Sequence, residues 1–130
     1  MDHMEKVRLL RADQNVHYNC AQSVVVTFAD RIGLSDQQCY QMAAHFGSGM
    51  RHGSTCGALT GALMVLGMLG YDEQAAGALM RQMREGHGAL DCATLLKTSH
   101  EAGIPRKTHC DGLVFEMVEA VERILNGENK

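Results

Sequence analysis

The chain has 130 residues, with 12 Lys and Arg against 15 Asp and Glu and a formal net charge of −3. No basic run exceeds two residues, which argues against nucleic acid or an anionic membrane surface as partner. A chain of this length buries an adequate core without disulfide staples, so residues 1–130 are read as a single domain.

Helical periodicity runs through almost the whole sequence, and no stretch joins strand-type alternation to hairpin turn signals. The spacing predicts an all-α bundle of six or seven helices. A first helix covers about Asp2 to Ala12, with Met4, Val7 and Leu9 or Leu10 inward, and the polar connector Asp13 to His17 follows. The second starts at Asn19, an N-cap residue type, runs to about Arg31 and stops at Gly33. Ser35, with Gln38 three residues on, marks a capping box for a third helix that reaches Phe46. The glycine-rich loop Gly47 to Gly53 then leads into a fourth, Cys56 to about Leu69. Its apolar stretch of about 16 residues is shorter than the ~20 that span a bilayer. A helix apolar on every side belongs at the centre of a bundle, and the others are expected to wrap it. Asp72-Glu73 opens a fifth helix that reaches about Glu85. Asp91 caps a sixth to Ala102, and a seventh spans about Asp111 to Leu125.

The cysteines fall at telling places. Cys56 follows the glycine-rich loop where a helix begins, Cys20 follows the cap Asn19, Cys92 follows the cap Asp91, and Cys110 lies just ahead of the seventh helix. Unpaired N–H groups and the positive end of the macrodipole favour thiolate at such positions. One such placement shifts a pKa by a fraction of a unit to somewhat over one, since the interaction is worth roughly 0.3–2 kcal/mol. Four placements make a pattern: gathered thiolates repel unless something compensates, and converging helix starts do so. Cys20, Cys56, Cys92 and Cys110 are therefore the candidate redox-active residues and the candidate metal ligands, whereas Cys39, in mid-helix, reads as packing. Met1 to Lys6 shows no secretory signal, so a cytoplasmic, reducing compartment is expected and structural disulfides are not.

Other features carry weaker signals. Gly49, Gly53 and Gly57 are candidates for approaching a cofactor, through a nest of loop N–H groups near Cys56 or through a glycine stripe continuing to Gly61. His52, His87 and His109 lie near cysteine-bearing turns, and His52 and His109 are candidate bases, proton carriers or substitute ligands, though solvated loop positions are the commoner role. Met64, Met68, Met80 and Met83 are assigned to inner faces, and Glu116, Glu119 and Glu122 to a solvated stripe.

Asn19-Cys20-Ala21-Gln22-Ser23, Cys56-Gly57-Ala58-Leu59-Thr60-Gly61, Gly88-Ala89-Leu90-Asp91-Cys92 with Leu95-Leu96, and Cys110 before Leu113-Val114 occur in that order. Over about Lys6 to Leu125 this resembles the redox-active protein family labelled C_GCAxxG_C_C. The resemblance implies a small bacterial or archaeal helical protein whose four signature cysteines are redox-active, often encoded near transporter genes. A related domain occurs in split-Soret cytochromes, where an iron–sulfur centre has been suggested. The chain has no Cys-x-x-Cys-His, so covalent haem is not expected. The leading expectation is a redox protein in which the four cysteines ligate an iron–sulfur cluster or cycle between thiols and disulfides, serving electron transfer or redox sensing with an unidentified redox partner. The alternative is an interaction module built on structural zinc, for a membrane transporter or for a homodimer, and zinc would carry no redox chemistry there.

Overall fold

A computed structural model describes residues 1–127 and shows eight α-helices, with no strand among the described residues. The all-α reading holds; the polar tail from residue 128 onward lies outside the described residues. The helices are α1 (His3–Ala12), α2 (Cys20–Thr27), α3 (Ala29–Ile32), α4 (Asp36–Met42), α5 (Gly57–Met68), α6 (Glu73–His87), α7 (Cys92–Glu101) and α8 (Arg106–Leu125). No helix among the described residues is long and apolar enough to cross a membrane.

Local chemistry sets most boundaries. The Asn19 side chain accepts from Gln22 N at 2.7 Å while the Gln22 side chain accepts from Asn19 N at 2.9 Å, and Ser35 and Gln38 repeat the exchange at 3.0 and 2.9 Å. Asp91 accepts from Thr94 N at 2.8 Å, so α7 begins with Cys92 as its first residue. Such caps stabilise a helix by about 1 kcal/mol each.

Three boundaries depart from the sequence reading. The second helix breaks at Phe28, giving an eighth helix: Phe28 N–H splits between Val24 O and Val25 O, after a β-branched run in which Thr27 Oγ1 donates back to Ser23 O at 2.6 Å. The third stops at Met42 rather than Phe46, because the next carbonyls are drawn into tight turns and Asn19 Nδ2 donates to Ala44 O at 3.0 Å. The last begins at Arg106, five residues ahead of Asp111, since Pro105 presets the entry to the helix and Gly112 continues it. Cys110 therefore lies in the second turn of α8 and not at its start.

The central apolar helix expected at about 56–69 is α5, and α2 shares the centre with it. Every residue of α2 after Cys20 is buried, and α5 lies against it with Gly57, Gly61 and Ala62 buried. A Cβ at Gly61 would sit 2.9 Å from Ala21 O and 3.0 Å from Val24 Cβ, so the stripe expected on α5 serves helix–helix contact there. Val24, Val25, Leu59 and Val65 are fully sequestered, each contributing on the order of 1.5–3 kcal/mol. The buried polar residues of α2 are satisfied: Gln22 Nε2 donates to Tyr40 O at 2.8 Å and Ser23 Oγ to Asn19 O at 2.8 Å.

The methionine and glutamate assignments need correction. Met83 is buried and Met64 and Met80 are partly so, but Met68 is 51% exposed where the end of α5 leaves the bundle. Glu116 accepts from Gln82 at 3.2 Å and pairs with His87 at 2.7 Å, and Glu122 pairs with His3, so two of the three acids tie α8 to other helices. Leu10, not Leu9, packs against the core from α1.

Candidate functional site

The starts of α2, α5 and α7 and the second turn of α8 meet at one end of the bundle around a cavity of ≈ 490 Å³. Cys20, Cys56, Cys92 and Cys110 all line it, whereas Cys39 is buried in the core as packing.

Two chain segments cross to hold Cys56 and Cys92. Thr55 and Asp91 form an isolated antiparallel bridge, Cys56 N donates to Leu90 O at 2.8 Å and Cys92 N to Ser54 O at 2.6 Å. The loop ahead of Ser54 presses onto this crossing through a left-handed run, with φ of 52° at Ser48, 63° at Gly49, 58° at Met50 and 69° at Arg51. The three side-chain-bearing residues are strained by roughly 1–2 kcal/mol each. Gly49 is required there, because a Cβ would stand 2.3 Å from Ser54 O and 2.7 Å from Cys92 Cβ.

The three candidate cofactor glycines separate. Gly57 lines the cavity, 3.2 Å from Cys20 Cβ at its would-be Cβ. Gly49 and Gly53 lie outside the lining and back α7, Gly53 with its would-be Cβ 3.1 Å from Ala93 Cβ. The N–H groups that bear on the Cys56 sulfur belong to Ala58 and Leu59 in α5, not to the loop.

Electrostatics reverse the expectation that helix starts make thiolates. Burial pushes the Cys56 and Cys92 thiols up, and for Cys56 the facing N–H groups recover only part of that. Desolvation shifts a buried thiol by up to several units, against somewhat over one at most for a helix start. Cys20 and Cys110, both on the cavity wall, act on one another and shift in opposite directions. Cys20 is held well above its ordinary value, first by the Cys110 sulfur and then by burial. Cys110 is pushed down to about 6, first by the Cys20 thiol and then, against burial, by the charges of Arg106 and Arg11. The one thiolate at neutral pH is thus the cysteine farthest from a helix start.

The side chains that do this were not among the sequence candidates. Arg11 and Arg106 line the cavity with Lys107 and His17. Arg11 Nε donates to Asp111 at 2.7 Å and Nη1 to Tyr18 O at 2.8 Å, while Lys107 Nζ reaches Arg11 O at 3.0 Å. The available signal was spacing: Arg106 stands four residues before Cys110, on the same helical face. Of the three candidate histidines, His109 alone joins the lining, bonded through Nδ1 to Ser99 Oγ, with its pKa lowered by burial and by the charge of His87. His52 is exposed in the loop and His87 is engaged with Glu116.

Four sulfur donors are the right chemistry for zinc or an iron–sulfur cluster. Among the described residues, no three His, Cys, Asp or Glu side chains are grouped closely enough to hold a metal ion as they stand.

Compared with known proteins, residues 18–124 match the model of the family described as "Putative redox-active protein (C_GCAxxG_C_C)", a span holding all four cavity cysteines. No curated protein and no solved structure matches the chain.

Proposed function

Because the chain belongs to the redox-active family C_GCAxxG_C_C, we propose that it is a thiol–disulfide redox protein whose working pair is Cys110 and Cys20. What supports this is their shared place on the cavity wall together with the opposite pull on the two thiols, Cys110 drawn toward thiolate and Cys20 held protonated. That division suits an attacking and a resolving thiol.

In the reducing direction the Cys110 thiolate attacks one sulfur of a partner disulfide. A Cys110–partner S–S bond forms, the partner's own S–S bond breaks, and half of the partner leaves as thiolate. Cys20 then loses its proton and attacks the Cys110 sulfur, forming the Cys20–Cys110 disulfide and releasing the second half. Two electrons pass to the partner, and both product thiols take up protons, one of them that of Cys20. His109, neutral at pH 7 and in the same cavity wall, is the candidate carrier of that proton. Cys56 and Cys92 stay thiols in this cycle.

Stepwise oxidation of the reduced protein, with trapping of free thiols and mass mapping, tests the assignment. The first disulfide formed should join Cys20 to Cys110; a first bridge elsewhere, or none, overturns it.

The convergence of four sulfurs on one cavity supports a second reading, a metal centre with Cys20, Cys56, Cys92 and Cys110 as ligands. Metal and acid-labile sulfide content of protein purified without oxygen separates the readings. Iron with sulfide selects a cluster, stoichiometric zinc selects a structural module, and metal-free protein leaves the dithiol.

A further inference from the structure

The cavity beside Cys110 carries unequal charge. Arg11, Arg106 and Lys107 line it against the single carboxylate of Asp13, which is already engaged in accepting from Asn15 N at 2.8 Å and Val16 N at 3.0 Å. Arg11 and Lys107 share Asp111, whereas Arg106 forms no ion pair with any carboxylate among the described residues. Its charge lies beside the Cys110 sulfur, one helical turn on, and so meets whatever approaches that sulfur. The remaining wall is largely apolar, and ≈ 490 Å³ suits a small molecule rather than a folded protein.

We propose that the substrate of Cys110 is a small anionic disulfide, its carboxylate-bearing arms held by Arg106 and Lys107 while its apolar carbons lie on the cavity wall. This rests on the thiol–disulfide reading above. The Cys110 sulfur bonds to one half of the molecule and the other half leaves as a carboxylate-bearing thiolate. Cys20 then displaces the first half, so that one disulfide is reduced and one Cys20–Cys110 disulfide is formed.

The test uses three disulfides of similar size: dianionic 3,3′-dithiodipropionate, neutral 2-hydroxyethyl disulfide and dicationic cystamine. Each rate with the reduced protein is divided by the rate of the same reagent with a free small thiol, which removes intrinsic reactivity. The dianion should react roughly tenfold faster than the neutral reagent, with the dication slowest, and the preference should shrink as salt is raised. Arg106→Gln should bring the dianion-to-neutral ratio close to one, and Lys107→Gln should lower it part of the way. The ratio is independent of how much Cys110 is ionised, so it separates recognition from the effect of Arg106 on the thiol itself. Equal normalised rates, or a fastest dication, overturn the anion preference and leave the dithiol reading standing. No reaction at Cys110 with any of the three overturns both.

Discussion

Arg11 in α1 donates to Asp111 in α8 at 2.7 Å, one residue beyond Cys110, and so ties the first helix of the chain to the turn that carries the thiolate. Both side chains are largely buried, and the same guanidinium also donates to Tyr18 O and Ser23 Oγ. Arg11→Gln removes a charge-assisted bond and leaves Asp111 with Lys107 alone. Unfolding should cost about 1.5–3 kcal/mol less, read as a lower denaturant midpoint. The Cys110 pKa should also rise, read from the pH profile of its alkylation, because one of its two cationic neighbours is gone. A loss of stability with an unmoved Cys110 profile would separate the two roles.

The pH dependence of stability should carry the signature of these thiols. Cys110 titrates near 6 in the folded protein and near 9.0 when free, so between those values the unfolded chain holds a proton the native one has released. Stability from this group is full above pH 9 and is lost as pH falls through 6. Cys20, Cys56 and Cys92 are shifted up and act in the other direction, keeping protons above pH 9 that the unfolded chain gives up. The thiol contribution should therefore rise from pH 6 to 9 and fall beyond it. Chemical denaturation of Cys110→Ser under reducing conditions should show the rise flattened.

Gly49→Ala should be among the most damaging small substitutions. The new Cβ meets Ser54 O at 2.3 Å and Cys92 Cβ at 2.7 Å on a backbone with φ of 63°, and backbone cannot yield as a flexible side chain does. A loss of about 2 kcal/mol or more is expected, from strain added to overpacking. Thiol labelling should accelerate at Cys92 more than at Cys110, because the loop backs α7; uniform acceleration would mean the bundle had loosened as a whole.

Cys39→Ala is the control. Its thiol lies in the core between α4 and its neighbours, outside the cavity. Removing the sulfur should lower stability by on the order of 1 kcal/mol through the void left behind. The order in which the other cysteines oxidise should not change, and a changed order would place Cys39 in the redox chemistry.

Much of the architecture was legible because it is local. Asn19, Ser35 and Asp91 are caps with their partners three residues on, and the helices begin where those residues say. The break at Phe28 and the early start of α8 were harder, since the first depends on β-branched crowding and the second on Pro105 opening a helix that tolerates Gly112. At the site, chain order named Cys20, Cys56, Cys92 and Cys110, but not their charge. A helix start is visible in sequence, whereas burial comes from residues far along the chain and outweighs it. Arg11, a hundred positions from Asp111, belongs to the site only through the fold.

The crossing at Thr55 and Asp91 closes residues 54–92 into a ring of chain containing α5 and α6, and the clasp of that ring is made by the amides of Cys56 and Cys92 themselves. Those two amides are spectroscopic reporters that need no reagent at sulfur. Their exchange with solvent deuterium follows the opening of the clasp, so the coupling between sulfur chemistry and the opening of the helical hairpin is readable residue by residue from the backbone.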